Sequence, residues 1–125
     1  MLFQLTEHKN TALHAAVSFG YLNIVENLVN LMTEAEMEMT DTDGYIALAS
    51  AALTGITEIA ECIIQKNENL VIIPNNSDEI PVTLAVLSGH IKMAHYLYLV
   101  TPLRSFFPEN GHHGAMLLKQ CFLSN

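Results

Sequence analysis

Residues 10–29, NTALHAAVSFGYLNIVENLV, carry apolar residues at helical spacing on both sides of Gly20: Leu13, Ala16 and Val17 before it, Ile24, Val25, Leu28 and Val29 after it. A glycine inside a helix costs about 1 kcal/mol against alanine, so one continuous helix is disfavoured. Two short helices joined at Gly20 are predicted instead. The arrangement returns twice, in IALASAALTGITEIAECII from Ile46 and IPVTLAVLSGHIKMAHYLY from Ile80. Gly20, Gly55 and Gly89 lie 35 and then 34 residues apart, each nine residues into its window. A fixed period of this size marks a repeat architecture. Each window reads as a helix, a turn whose glycine takes the left-handed conformation, and a second helix.

The flanking residues agree with these limits. Thr11 is expected to cap the first helix through its hydroxyl, and Pro81 sits in a first helical turn, where its missing N–H is not needed. Thr57 is expected to cap the second helix of the middle window, and Pro102 follows the last helix of the third. Between windows, MEMTDTDGY (37–45) and IIPNNSDE (72–79) are rich in turn-forming residues and are expected to project as hairpin-like loops. Asp43-Gly44 is a strong turn pair, and the positions equivalent to Gly44 hold Lys9 and Asp78.

Composition narrows the function classes. The 125 residues are 50% hydrophobic and 14% charged, which fits one folded domain and excludes a disordered chain. A net charge of −8 repels phosphate, so nucleic acid is not an expected partner. The N-terminus has no basic segment of the signal-peptide kind, and no stretch reaches the roughly 18 apolar residues of a membrane span. The chain is therefore expected to be soluble and to make no membrane contact itself. Cys62 and Cys121 lack zinc-type spacing and read as reduced, buried thiols of an intracellular protein.

The segment TALHAA is similar to the ankyrin motif T-P-L-H-x-A, and the following G-x-x-x-I-V-x-x-L pattern is similar to the second ankyrin helix. The resemblance covers about residues 6–101. It implies an all-α ankyrin-repeat solenoid of about three stacked helix-turn-helix repeats, near 6–39, 40–73 and 74–101, with a partial repeat or C-terminal helix over 102–125. In this register His14 is expected to act as a hydrogen-bonding residue of the motif, and His90 as a surface residue after a helix-ending glycine. Ile46 and Ala49 stand where the motif has Thr and His, and Ile80, Val82 and Thr83 depart from it in the third window. The phrases DTDGYIALASAALTGITEIAE, IIPNNSDEIPVTLAVLSGHIKMAHYLY and VTPLRSFFPENGHHGAMLL also resemble the N-terminal ankyrin part of plant ankyrin-repeat membrane proteins. In that family a helical membrane region, the PGG domain, follows the array, and the proteins are tied to defence and salt-stress signalling. No such region lies within these residues, so the resemblance implies a fragment or a truncated relative on the cytoplasmic side of a membrane.

The resemblance further implies a protein-interaction module that uses its concave face. The adaptable positions are Glu7, His8, Asn10, Ser18 and Phe19 in the first repeat; Thr42, Asp43, Tyr45, Leu53 and Thr54 in the second; and Asn76, Ser77, Glu79, Leu87 and Ser88 in the third. Tyr45 and Leu53 are expected to face outward and Leu48 inward. Phe19 is open to two readings, a partner anchor or a ring packed against Tyr21 or the neighbouring repeat.

Other chemistry is less well supported. His112 and His113 are adjacent, and His90 and His95 lie five apart, off the spacing that brings two ligands to one helix face, so no metal is expected. Glu58 and Glu61 flank Cys62 and are expected to oppose its thiolate. No nucleotide or nucleophile motif appears, and neither an enzyme nor a cofactor is expected. Glu34, Glu36, Glu38, Asp41 and Asp43, interleaved with Met37 and Met39, suit a basic partner segment, but the preferred reading is a solubilising connection with methionines turned inward. Thr33 and Glu36 have the spacing of a capping box. The apolar segments TALHAAV and GAMLLKQCFL lack the polar outer face of a solenoid cap, so the alternative to an interaction module is a structural segment that mainly stacks on neighbouring repeats or self-associates through its ends, without a dedicated partner site.

Overall fold

A computed structural model describes residues 12–102. Glu7, His8, Asn10, Thr11, His112, His113, Cys121 and the helix expected past residue 102 lie outside the described residues. The elements are α1 over 12–19, α2 (Leu22–Leu31), α3 (Glu34–Met37), α4 (Ala47–Thr54), α5 (Thr57–Lys66), a 3-10 turn (Glu68–Ile72), α6 (Pro81–Leu87) and α7 (Ile91–Val100). No strand forms among the described residues. The helices α1, α4 and α6 form an inner row, and α2, α5 and α7 an outer row. Within each row neighbours pack side by side, α4 on α6, α2 on α5 and α5 on α7.

The period-marking glycines close the inner helices as expected. Gly20, Gly55 and Gly89 have φ of 76°, 81° and 79°, a region open to glycine without strain. At Gly20 the N–H bonds to the Val17 carbonyl and that of Tyr21 to the Ala16 carbonyl; Gly89 and His90 repeat this toward Val86 and Ala85. This is the two-bond Schellman ending. At Gly55 a single bond runs to the Ala51 carbonyl, and the Thr54 hydroxyl donates to that same oxygen.

Alanines on the inner row let adjacent repeats approach closely. Ala16, Ala51 and Ala85 occupy one register and are all buried, and they belong to one core with Leu13, Val17, Leu48, Ile59, Ile63, Val82, Met93 and Leu97. Pro81 takes the first position of α6 as predicted. Thr57 does not cap α5: it is the first helical residue and is buried, while Ile56, in extended conformation, precedes it without a side-chain cap. With Gly55 left-handed, the capping position falls to Ile56, whose side chain has no hydrogen-bonding group to offer.

The loops repeat atom for atom. Asp41 Oδ1 accepts the N–H groups of Asp43 and Tyr45, each at 2.9 Å, and Asn75 Oδ1 accepts those of Ser77 and Glu79 at the same distances. The backbone N–H of each Asp41 and Asn75 donates to the carbonyl four residues on, closing the hairpin-like tip. Asp78 adopts φ of 61° where Gly44 has 86°, in keeping with its tolerance of the left-handed region.

A short helical element follows the helix pair in each of the first two repeats, signalled in the sequence only by the Thr33–Glu36 spacing of the first. Thr33 opens α3 with the expected capping box, its hydroxyl accepting from the Glu36 N–H while the Glu36 carboxylate accepts from the Thr33 N–H. Asn67, 34 residues later, opens the 3-10 turn by accepting from the Asn69 N–H. Asn67 also ends α5, whereas in the first repeat Met32 ends α2 and Thr33 is a separate residue. Met32, buried in extended conformation, is therefore the extra residue that makes the first glycine spacing 35 instead of 34.

Candidate partner-binding surface

No Asp, Glu, Lys or Arg occurs in α1, α4 or α6. Their exposed side chains are small or apolar, and the charges lie on the loops and the outer row. The exposed side of the inner row is thus uncharged.

Along this side Leu53 and Leu87 occupy the same register of α4 and α6, two residues before the closing glycine, and are 38% and 56% exposed. Ser18 holds that register in α1. Phe19 beside it is 71% exposed and stacks on Tyr21, ring centroids 5.8 Å apart. The stacking on Tyr21 matches the packed reading of Phe19, while most of the ring stays open to solvent. Ser88 is exposed, whereas Thr54 is half-buried with its hydroxyl committed to Ala51.

At the loops, Thr42, Asp43, Asn76 and Ser77 are exposed. Asn76 Nδ2 lies 3.4 Å from the Asp43 carbonyl and so ties the two tips together. Glu79 is half-buried and accepts from Asn75 Nδ2 at 3.1 Å, which gives it a structural task. Tyr45 departs from expectation. Its side chain is half-buried against the core instead of pointing outward, and its carbonyl accepts from His14 Nε2 at 2.9 Å. A large ring beside Ile46 gains more from covering apolar surface than from solvent.

The two repeat junctions are each fastened by an imidazole. His14 acts at the first, as the motif implies. His90 acts at the second: it is half-buried, and its Nε2 donates to the Leu53 carbonyl at 2.9 Å. The expectation of a plain surface residue is thus corrected. Its ring fills the space where a side chain on Gly55 would stand. Asn67 forms a third crossing, donating to the Glu34 carbonyl and to Glu38 Oε2. The pairing of Asp41 with Asn75 at a 34-residue interval was the available signal for the loop acceptors; nothing local marks His90 or Asn67.

On the opposite side, α2 and α5 border a groove of about 610 Å³ lined by Glu26, Glu58, Glu61 and Cys62 among others. Cys62 is a free, half-buried thiol. Burial first, and the Glu26 carboxylate second, push its pKa above the ordinary cysteine value. The direction agrees with expectation but the acting carboxylate is Glu26, across the groove, and not Glu58 or Glu61. The acidic connection turns Met37 fully inward, with Met39 half-buried. Among the described residues no group of three or more His, Cys, Asp or Glu is placed to hold a metal ion, and no helix is long and apolar enough to cross a membrane.

Stacked helix pairs, glycine-closed inner helices and projecting loops define a helical repeat solenoid. The chain matches the family described as ankyrin repeats (three copies) over residues 13–102, and it belongs to that family. No curated protein matches the chain. Ankyrin repeats are in general protein–protein interaction modules, and the family is typically non-enzymatic.

Proposed function

We propose that this chain binds another protein through its concave face, formed by the inner helices and the loop tips. The observation that carries this reading is the exposed apolar pair Leu53 and Leu87, in one register on a floor otherwise free of charge. Exposed apolar side chains gathered in a concavity are a common feature of binding surfaces. The remaining positions, Glu7, His8, Asn10, Ser18, Phe19, Thr42, Asp43, Asn76, Ser77 and Ser88, are assigned to the same surface by their place in the repeat. Tyr45, Thr54 and Glu79 are assigned there chiefly as supports. Repeat limits near 6–39, 40–73 and 74–101 belong to the same proposal.

A finer form of the reading places the array in plant defence or stress signalling, on the cytoplasmic side of a membrane that a C-terminal region of a longer protein would span. It rests on the likeness of the phrases quoted above to plant ankyrin-repeat membrane proteins.

The test is selection of ligands from a displayed random peptide library on the purified chain, followed by amide hydrogen exchange with the selected ligand bound. Protection gathered on α1, α4, α6 and the loop tips is expected. Protection confined to α2, α5 and α7 would refute the concave assignment.

A further inference from the structure

We infer that the occupant of the concave face is an amphipathic helix of a partner protein, with apolar residues repeating every seventh position and Lys or Arg along one flank. The inference rests on the concave face being the interaction surface. Two observations carry it. The first is spacing: Leu53 and Leu87 stand at equivalent points of packed neighbouring helices, whose axes are about 8–10 Å apart. A helix advances about 10.5 Å in seven residues and returns the same face after two turns. A β-strand returns the same face at about 6.6 Å or 13.2 Å, each further from this separation than the helical repeat of about 10.5 Å. The second is charge. The loop segments 38–46 and 73–80 carry Glu38, Asp41, Asp43, Asp78 and Glu79 and no Lys or Arg, while the helical floor is uncharged. A ligand resting on that floor meets apolar side chains below and carboxylates to one side, so its own basic residues belong on one flank and not around its whole circumference.

The probes are three synthetic helices of about 18 residues, one with leucines every seventh position and lysines on one flank, one with the leucines at five-residue spacing, and one with glutamates replacing the lysines. Titration against the whole chain is expected to show the first binding at least about tenfold more tightly than the other two. In Leu53→Ser and Leu87→Ser, each verified as folded by circular dichroism, that preference is expected to vanish. Equal affinities for all three, no binding of the first, or a preference unchanged in both variants would overturn the inference. Library ligands that protect the concave face but lack the seven-residue apolar and basic pattern would overturn it while leaving the proposed function standing.

Discussion

His90 Nε2 lies 2.9 Å from the carbonyl oxygen of Leu53, joining residues 37 apart in the chain and fastening the third repeat to the second. Because a carbonyl only accepts, the Nε2 atom carries the hydrogen. The same ring lies against Gly55, within 2.6 Å of where a Cβ would be. A differential prediction follows from this contact. Gly55→Ala must bear both the left-handed backbone penalty of about 1–2 kcal/mol and displacement of the imidazole, whereas Gly89→Ala, with nothing within 4 Å, bears the backbone penalty alone. Urea unfolding is expected to rank Gly55→Ala as the more destabilised, and the gap is expected to shrink when both are made in a His90→Ala background. An equal cost for the two glycines would contradict this account of the junction.

Asp41 and Asn75 do the same work with different charges, so charge is not what the loop needs. Asp41→Asn is expected to change stability little. Asp41→Ala strips two N–H groups of their acceptor and is expected to cost about 1–3 kcal/mol. Denaturation midpoints of the two variants check this, and a large loss in Asp41→Asn would show that the carboxylate charge has a further role.

Leu48 is fully buried in the central repeat. Leu48→Ala is expected to cost about 2–5 kcal/mol, against little change for Leu53→Ala on the exposed side of the same helix. Tyr45→Ala is expected to be destabilising too, since its ring covers core residues. Chemical denaturation of the three variants decides whether Tyr45 is a support or a free surface residue.

The raised pKa of Cys62 has a sign that can be checked. The fold favours the protonated thiol, so its contribution is retained below the ordinary cysteine value and lost as pH rises through the raised one. In a Cys121→Ser background, alkylation near pH 8 is expected to be slower in the folded chain than in urea, and Glu26→Gln is expected to speed it. No response to Glu26→Gln would leave burial as the sole cause.

The parts of the fold legible in the sequence are those fixed by short-range backbone chemistry. Gly20, Gly55 and Gly89 announce left-handed helix ends, Pro81 a helix start, and Thr33 with Glu36 a capping box, because each depends on neighbours within a few residues. Apolar spacing announced the core through Leu13, Val17 and Leu48 in the same way. What escaped reading depends on contacts roughly a full repeat away. His90 and Asn67 act on atoms 37 and 33 residues distant, and Tyr45 turns inward because of the core it meets. Thr57 was misplaced because the capping position falls to Ile56, one residue earlier. Of the candidate surface, Leu53, Leu87 and Phe19 were legible as exposed apolar positions; the structural duties of Thr54 and Glu79 were not.

The central claim, that the concave face holds the partner, is tested most directly by one affinity comparison. A ligand selected from an unbiased displayed library is titrated against the unaltered chain, a Leu53→Ser/Leu87→Ser variant of the inner row, and a Glu58→Gln/Glu61→Gln variant of the outer groove. The account predicts a loss of at least about tenfold for the inner-row variant and unchanged affinity for the outer one. Full affinity in the inner-row variant together with a loss in the outer one would contradict it.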